Sequence, residues 1–367
     1  MRTRTQMFRM FENDCIKPGF EECLRRLEQT YQESKDVYGE YLAGQFQEFC
    51  RREREPSQES PWAYLSIELL RTRVRQKDYR YRVTAYGEQW YLGESKILGD
   101  LDASVILGQY HELEASLKEQ AKRYVGKVSE LETEEHTARL LPAFHEYVKE
   151  LILYGTAGIT DLAEFQEVKK AGQFQLRVGE CLEPGYLVYM ENQEKDRDHI
   201  LQWLEKNERE AYCFQDFRGM DFKDVDLSDH DFRNTDFRDA VLERTDLSLS
   251  LLTGARFQRG NLKSCRMTGS MLHGADFSGA DLRDARMDHT LMYDGKDAST
   301  DWRLAGFPEG KFCGADLRGA SFRGCVYCGA DFSGADLRDA RMDPYPDVRR
   351  KGRQHRLEAG RVSGRKV

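Results

Sequence analysis

The residues with the most reactive side chains are spaced poorly for shared chemistry. Cys325-x-x-Cys328 has the spacing of a redox or metal-binding pair. It sits in a five-residue repeat that puts Cys325 on a small inward position and Cys328 just after the inward Tyr327, so the two thiols should point to opposite sides of one wall. His136 and His145 are nine residues apart in a segment expected to be helical. At ~100° per residue they fall on opposite sides of one straight helix and share no metal. His230 occupies an inward repeat position and is expected to be a partly solvated packing histidine. No His-Glu-x-x-His, Gly-x-x-x-x-Gly-Lys or Gly-x-Ser-x-Gly occurs. Asp281 with Arg283, and Asp336 with Arg338, read as surface ladders of small individual worth. Nothing assembles a nucleophile, a base and an oxyanion site, so the expectation is a non-enzyme with no cofactor and no metal.

The chain of 367 residues has room for two domains. It is 33% charged with a mean hydropathy of −0.73, yet 11% aromatic, too aromatic for a disordered chain. No apolar run approaches the ~20 residues of a membrane helix, and the N-terminus shows no apolar signal region. Nine scattered cysteines read as reduced thiols in a cytoplasmic protein. The net charge of −8 divides into −9 for residues 1–211, −5 for 212–343 and +6 for 344–367. An acidic body opposes binding to the duplex phosphate backbone, which leaves nucleic acid only the basic tail.

What positions the C-terminal residues is a repeat. From Tyr212 every fifth residue is large and apolar at 26 of 27 positions, through Phe217, Phe222 and Leu227 to Met342, with one fault at Asp297. Two residues before each, from Thr235 through Ala240 and Thr245 to Ala340, stands a small residue. A period of five is neither the 3.6 of a helix nor the 2.0 of a strand. It requires a chain that turns a corner after each short extended side, with the large residue filling the axis and stacked coils pairing their backbones.

The runs Gly274-Ala275-Asp276-Phe277-Ser278-Gly279-Ala280-Asp281-Leu282 and Ala330-Asp331-Phe332-Ser333-Gly334-Ala335-Asp336-Leu337 resemble the pentapeptide-repeat family. The resemblance covers about a third of the chain. It implies a right-handed quadrilateral β-helix, four five-residue sides to a coil, and thus about six and a half coils at ~4.8 Å each. Between Tyr293 and Lys311 the register survives while Asp297 takes an inward place. This is an irregular side or, the preferred reading, a loop whose length is a multiple of five.

Residues 1–208 lack the repeat and resemble no family. Gly19 to Arg54, Trp62 to Arg75, Val105 to Leu131 and His136 to Tyr154 read as helices from their apolar spacing, and Pro56 to Pro61 as a break. Phe174 to Met190 alternates around Pro184-Gly185 as a hairpin, and His199 to Glu210 reads as a short helix capping the first coil. The expected class is an α+β multidomain chain: a mainly α-helical domain over 1–208, a pentapeptide-repeat β-helix over 209–343, and a basic, disordered tail over 344–367 beginning Pro344-Tyr345-Pro346.

Residues twenty apart should stack on one face. Asp216 with Asp236, and Asp226 with Asp246, form acidic columns, to which Asp221 and Asp231 add, and 216–243 holds nine acidic against four basic residues. Another column reads Asp231, Leu251, Met271, Leu291, with Leu249 beside it, an exposed apolar stripe of the kind found at interfaces. The stripe packs either on a protein partner or on the chain's own N-terminal half. The leading function is a non-catalytic protein-binding scaffold, a rigid rod joined to a helical recognition domain. The resemblance implies an alternative, since some pentapeptide-repeat proteins protect type II topoisomerases by mimicking duplex DNA with an acidic rod. The arginine-rich later repeats and the basic tail run against it. An enzyme housed in the N-terminal half is the third alternative.

Overall fold

The computed structural model describes residues 3–53, 60–124, 126–192, 197–208, 210–293, 308–327 and 329–343. The sequence features at Asp297, Trp302, Phe307 and Cys328, and the basic tail, lie outside the described residues. The chain divides into two compact units, Met1–Tyr189 and Met190–Val367.

The first unit opens with helix α1 (Arg4–Phe11), a single π turn and the 37-residue α2 (Lys17–Glu53). Cys23, Leu24, Leu27, Tyr38, Leu42, Phe46 and Phe49 are buried along α2, the three-and-four spacing of one apolar face. Then follow strand β1 (Trp62–Leu69), the short α3 (Arg71–Arg75), β2 (Arg80–Tyr86), β3 (Ser95–Asp102), α4 (Ser104–Ala121), α5 (Glu130–Ala138), α6 (Leu141–Thr160), α7 (Ala163–Glu167), β4 (Lys170–Glu180) and β5 (Tyr186–Asn192). The five strands make one sheet in the order β3-β2-β1-β4-β5. β1 and β2 pair antiparallel, as do β2 and β3, whereas β1 and β4 run parallel.

Two sequence expectations change here. Trp62 to Leu69, read as helix, is the central strand of this sheet. Both its faces are covered, with Leu65, Ile67, Ser66 and Glu68 all buried, and a strand buried on both sides shows a near-continuous apolar run that periodicity cannot separate from a helix. His136 and His145 lie on different helices, α5 and α6. Pro142 stands in the first turn of α6, where a residue without an N–H starts a helix and cannot continue one. His136 packs on Phe8 at 4.5 Å, while His145 Nδ1 lies 2.8 Å from the Tyr81 hydroxyl. The 174–190 segment forms the consecutive, neighbouring strands β4 and β5.

Helices α2 and α6 approach closely at Gly155. A Cβ there would lie 3.1 Å from the Gly39 Cα and 2.7 Å from a Leu42 methyl, so only glycine permits the crossing. Earlier in α6, Glu150 is buried.

The second unit opens on helix α8 (Arg197–Leu204). Ile200 and Leu204 join Tyr212, Phe217 and Phe232 in one apolar core. The Tyr212 hydroxyl donates to the Trp203 carbonyl at 2.8 Å. His230 is buried rather than partly solvated, with Nδ1 2.6 Å from the Ser228 carbonyl and Nε2 2.8 Å from that of Leu204. α8 therefore closes the first coil, whose apolar end would otherwise meet water.

From Asp216 on, parallel backbone bridges join residues twenty apart in four ladders. We number these by their first residues, Asp216, Asp221, Asp226 and Asp231. Between coils Phe237, Phe257 and Phe277 stack with near-parallel rings at 5.1 and 4.7 Å. The small inward hydroxyls are satisfied by the preceding coil: Thr235 donates to the Tyr212 carbonyl at 2.6 Å, Thr245 to Phe222 at 2.7 Å and Ser270 to Leu247 at 2.7 Å. After Phe277 the offset changes. Asp276 pairs with Lys311, Asp281 with Asp316, Arg286 with Ser321 and Leu291 with Val326, thirty-five residues apart in place of twenty. The pairing offset thus grows by fifteen residues with the inward phase kept, and Phe277 stacks directly on Phe312 at 4.9 Å. The solenoid is shorter than its repeat count by most of a coil.

Two outcomes are expected. Deleting residues 294–308 restores the twenty-residue offset, so the melting temperature of the full chain stays within about 4 °C of the parent; a larger fall in a calorimetric scan would mean that the segment supports the rod. For Glu150, burial, opposed in part by Lys149, raises the carboxyl to about 7. The unfolded chain releases this proton near pH ~4.3, so between that pH and 7 the folded state holds more protons and stability falls as pH rises. Glu150→Gln removes the penalty, stabilising the protein by up to about 3 kcal/mol at pH 8 and hardly at all at pH 4.5. Urea titrations at the two pH values measure the difference, and an equal effect at both would refute the assignment.

Candidate functional site

Each side of the coil presents three outward residues: the bridged ladder residue, the one two positions on, and a corner residue of positive φ. The aspartates that open the repeats serve the corner itself. Asp216, Asp221, Asp226, Asp231 and Asp236 each accept the N–H two residues on, at 2.9–3.3 Å, the local turn that this short side chain favours. The structure brings Asp216 and Asp236 together on the first ladder. Asp216, Asp231 and Asp236 also hold Arg218, Arg233 and Arg238 at 2.7, 2.7 and 2.5 Å. Burial alone would raise the Asp231 carboxyl, but Arg233 and the Cys213 thiol together hold it below the ordinary carboxylate range. Asp216, Asp221 and Asp226 are exposed, and of these only Asp216 is held by an arginine among the described residues.

The fourth ladder differs from the other three. After Asp231 it reads Leu251, Met271, Leu291, Val326, each bridged to the next. Leu291 is 36% and Val326 39% exposed, while Leu251 and Met271 are half-buried. The places two residues on hold Thr253, His273 and Tyr293, so the side carries no charged residue over these coils apart from the opening Asp231 and Arg233. Leu249 stands at the corner before Leu251. It is 65% exposed with φ +61°, a conformation that costs an L-residue roughly 1–2 kcal/mol. Its methyl lies over Gly269, where a Cβ would come within 2.9 Å of it. Sequence stacking by twenty identified Leu249, Leu251, Met271 and Leu291 but missed Val326. It would have placed Lys311 next, which instead bridges Asp276 on the first ladder. The coincident thirty-five-residue offsets are the signal that recovers it.

Of the paired cysteines, Cys325 is buried, its Sγ 2.8 Å from the Met287 carbonyl and 3.2 Å from the Thr290 hydroxyl, a packing position. Burial, the largest cause, holds its thiol above the ordinary value.

The first unit carries a polar constellation that the sequence reading did not find. On the sheet face bearing Tyr64, Ser66 and Glu68, the register sets Glu68 beside Arg82, and Ser66 beside both Thr84 and Arg177. The Glu68 carboxylate is fully buried. It accepts from Arg82 at 2.7 and 3.0 Å and from the Tyr86 hydroxyl at 2.7 Å, with Thr84 at 3.5 Å. Arg82 also donates to Cys181 Sγ at 3.1 Å. Burial, and then the Glu68 carboxylate, push the Tyr86 hydroxyl above its ordinary range. Trp90 stacks on Tyr64 at 4.2 Å, and the Arg177 guanidinium lies 5.5 Å from the Trp90 ring. Every oxygen of Glu68 is engaged, so the arrangement is a satisfied charge network and offers no free base or nucleophile. Glu68→Ala leaves Arg82 and Tyr86 without their acceptor and costs the first unit about 3–5 kcal/mol in a urea titration of the full chain; a loss under about 1 kcal/mol would show that the network contributes little.

Comparison with known proteins follows the same division. A family model for pentapeptide repeats, in eight copies, matches residues 216–254, 250–288 and 311–343, interrupted where the ladder offset changes. No curated protein sequence matches the chain. Among solved structures, a pentapeptide repeat protein of the cyanobacterium Cyanothece 51142 is 18% identical over 36% of this chain and 90% of its own, with a TM-score of 0.22. One from Nostoc Pcc 7120 is 28% identical over 24% of this chain and 78% of its own, with a TM-score of 0.21. A plasmid-mediated fluoroquinolone resistance protein is 20% identical over 36% of this chain and 67% of its own, with a TM-score of 0.17. No described helix is long and apolar enough to cross a membrane. With its five-residue period, its ladders and its family match in accord, the C-terminal region, residues 216–343, belongs to the pentapeptide-repeat family.

Proposed function

We propose that this chain is a non-catalytic protein-binding scaffold in which a right-handed quadrilateral β-helix presents its fourth ladder to a protein partner. The observation that carries the reading is the run Leu251, Met271, Leu291 and Val326, one apolar residue per coil where the other ladders carry mainly aspartate, asparagine, arginine or lysine. Contiguous exposed apolar residues on a water-facing wall mark an interaction surface. Leu249 supports the same reading, because the positive-φ corner that elsewhere in the rod from Gly219 on holds Asp, Asn, Arg, Ser, His or Gly here adds a leucine 65% exposed beside the apolar column. The first unit, helices on a five-stranded sheet, is the accompanying recognition domain.

Duplex mimicry by the acidic opening coils has less behind it. Three of the five aspartates are neutralised by arginines of their own side, which leaves Asp221 and Asp226 to carry the field. An enzymatic role for the first unit gains nothing from Glu68, whose carboxylate is saturated by donors.

The test is affinity capture from the native host's extract, quantified by mass spectrometry. The full chain is compared with the Leu251→Asp/Met271→Asp and Asp221→Lys/Asp226→Lys variants. Aspartate is an accepted ladder residue at equivalent positions throughout the rod, so the first variant keeps the fold. Loss of one partner with that variant alone is expected. Loss with the Asp221/Asp226 variant alone would move the site to the acidic coils.

A further inference from the structure

We propose that the fourth ladder binds an amphipathic α-helix whose apolar stripe is flanked on one side by acidic residues. This rests on the reading of that ladder as the partner site and specifies the partner's chemistry.

The first argument is from the backbone. The ladder N–H groups are donated along the rod, Leu251 to the His230 carbonyl at 2.9 Å, Met271 to Ser250 at 3.1 Å, Leu291 to Ser270 at 3.1 Å and Val326 to Thr290 at 3.0 Å. A partner approaching from the side finds no free strand edge, so recognition by strand addition is closed and side chains must supply it.

Spacing supplies the second. The stacked phenylalanines set the coil step at 4.7–5.1 Å. The three steps from Leu251 to Val326 thus span roughly 15 Å, the length of ten helical residues at ~1.5 Å each. Apolar residues at i, i+3, i+7 and i+10 of a helix lying along the rod meet one ladder residue apiece, and Leu249 widens the contact at its start.

Charge is the third. Along the preceding side, Arg286, Arg323 and Arg341 are exposed and make no ion pair among the described residues. Arg266 on the same ladder is already paired with Asp246 at 2.5 Å. The same side also carries the carboxylates of Asp288, which accepts from the Ser321 hydroxyl and the Arg323 N–H at 2.6 and 2.9 Å, and Asp343, which accepts from the Gly324 N–H at 2.7 Å. These donors are neutral and leave both charges in place. The other flank alternates in sign, Arg256, Asp276, Lys311, Asp331. Beside the four apolar residues the preceding side thus carries Arg266, Arg286 and Arg323 against Asp246 and Asp288, an excess of one positive charge, while the other ladder is balanced. Arg286 and Arg323 have no ion-pair partner among the described residues, and this difference orients a helix with carboxylates toward the unpaired arginines.

A surface-displayed library of amphipathic helices, with a leucine stripe and randomised flanks, is selected on the immobilised full chain. Enrichment of Asp and Glu on one flank is expected, with binding at least about tenfold weaker to Met271→Asp and to Arg286→Glu/Arg323→Glu. Basic or neutral flanks, no enrichment, or binding indifferent to Met271→Asp overturns the proposal. So does Met271-dependent pelleting with phosphatidylserine vesicles, or a dimer in sedimentation that Met271→Asp dissociates. If the library yields nothing while Met271→Asp still abolishes capture from extract, the ladder binds a partner that is not such a helix. If capture is also unchanged, the scaffold reading of the ladder falls with it.

Discussion

The C-terminal region depends on one interaction, the registry of each coil on the next. A residue's N–H and C=O point along the rod, and its inward side chain stacks on the residue one coil away. Phe237, Phe257, Phe277, Phe312 and Phe332 form one such column with interplanar angles of 1–7°. Because the stacking distance and the distance between paired backbones are both near ~4.8 Å, neither can be satisfied without the other. This dual constraint is met where the pairing offset rises from twenty to thirty-five residues, because both are multiples of five and keep the inward phase.

The same constraint determines what the surface can be. Each corner needs a positive φ and a partner for the N–H two residues after the ladder residue. Aspartate at the ladder position meets the second need at little cost, which is why the rod is rich in acids and yet not strongly acidic in effect: arginines two residues on, or twenty residues on, neutralise many of them. Arg244 holds Asp224 and Arg259 holds Asp239 across one coil, at 2.6 and 2.7 Å. Where Leu251, Met271, Leu291 and Val326 replace the aspartates, the corner loses that hydrogen bond and the wall gains apolar area in water. Four consecutive coils forgo the local stabilisation on one ladder while the other three keep polar or charged residues at most positions, and this contrast is the physical basis for the proposal that the ladder meets a partner.

The first unit solves a different problem. A five-stranded sheet with helices on one face must cover the other. Here the second face is polar, with Glu68, Arg82, Thr84, Tyr86 and Arg177 beneath the Trp90–Leu92 turn. A buried carboxylate with an arginine and a tyrosine as donors is costly to break but contributes little beyond what an apolar pair would. What it provides is register, since a one-residue slip of β2 against β1 would carry Arg82 to the opposite face, away from Glu68.

By itself the sequence determined the five-residue period, the inward and outward identity of nearly every residue from 212 to 293, and the apolar column as far as Leu291, because in a solenoid each coil touches only its neighbours and position in the chain is position in space. The helices α2, α4 and α6 were legible for the related reason that their periodicity is local, but the readings Val105 to Leu131 and His136 to Tyr154 ran past the ends of α4 at Ala121 and α5 at Ala138. Tertiary structure decided the rest. It turned Trp62–Leu69 into a central strand, because burial on both faces erases the alternation that would mark one. It brought Glu68 and Arg82, fourteen residues apart, into one network through strand pairing that no local pattern specifies. It also placed Val326 above Leu291 and moved Lys311 to another ladder, since only the hydrogen bonds between coils reveal how many residues the chain spends outside them.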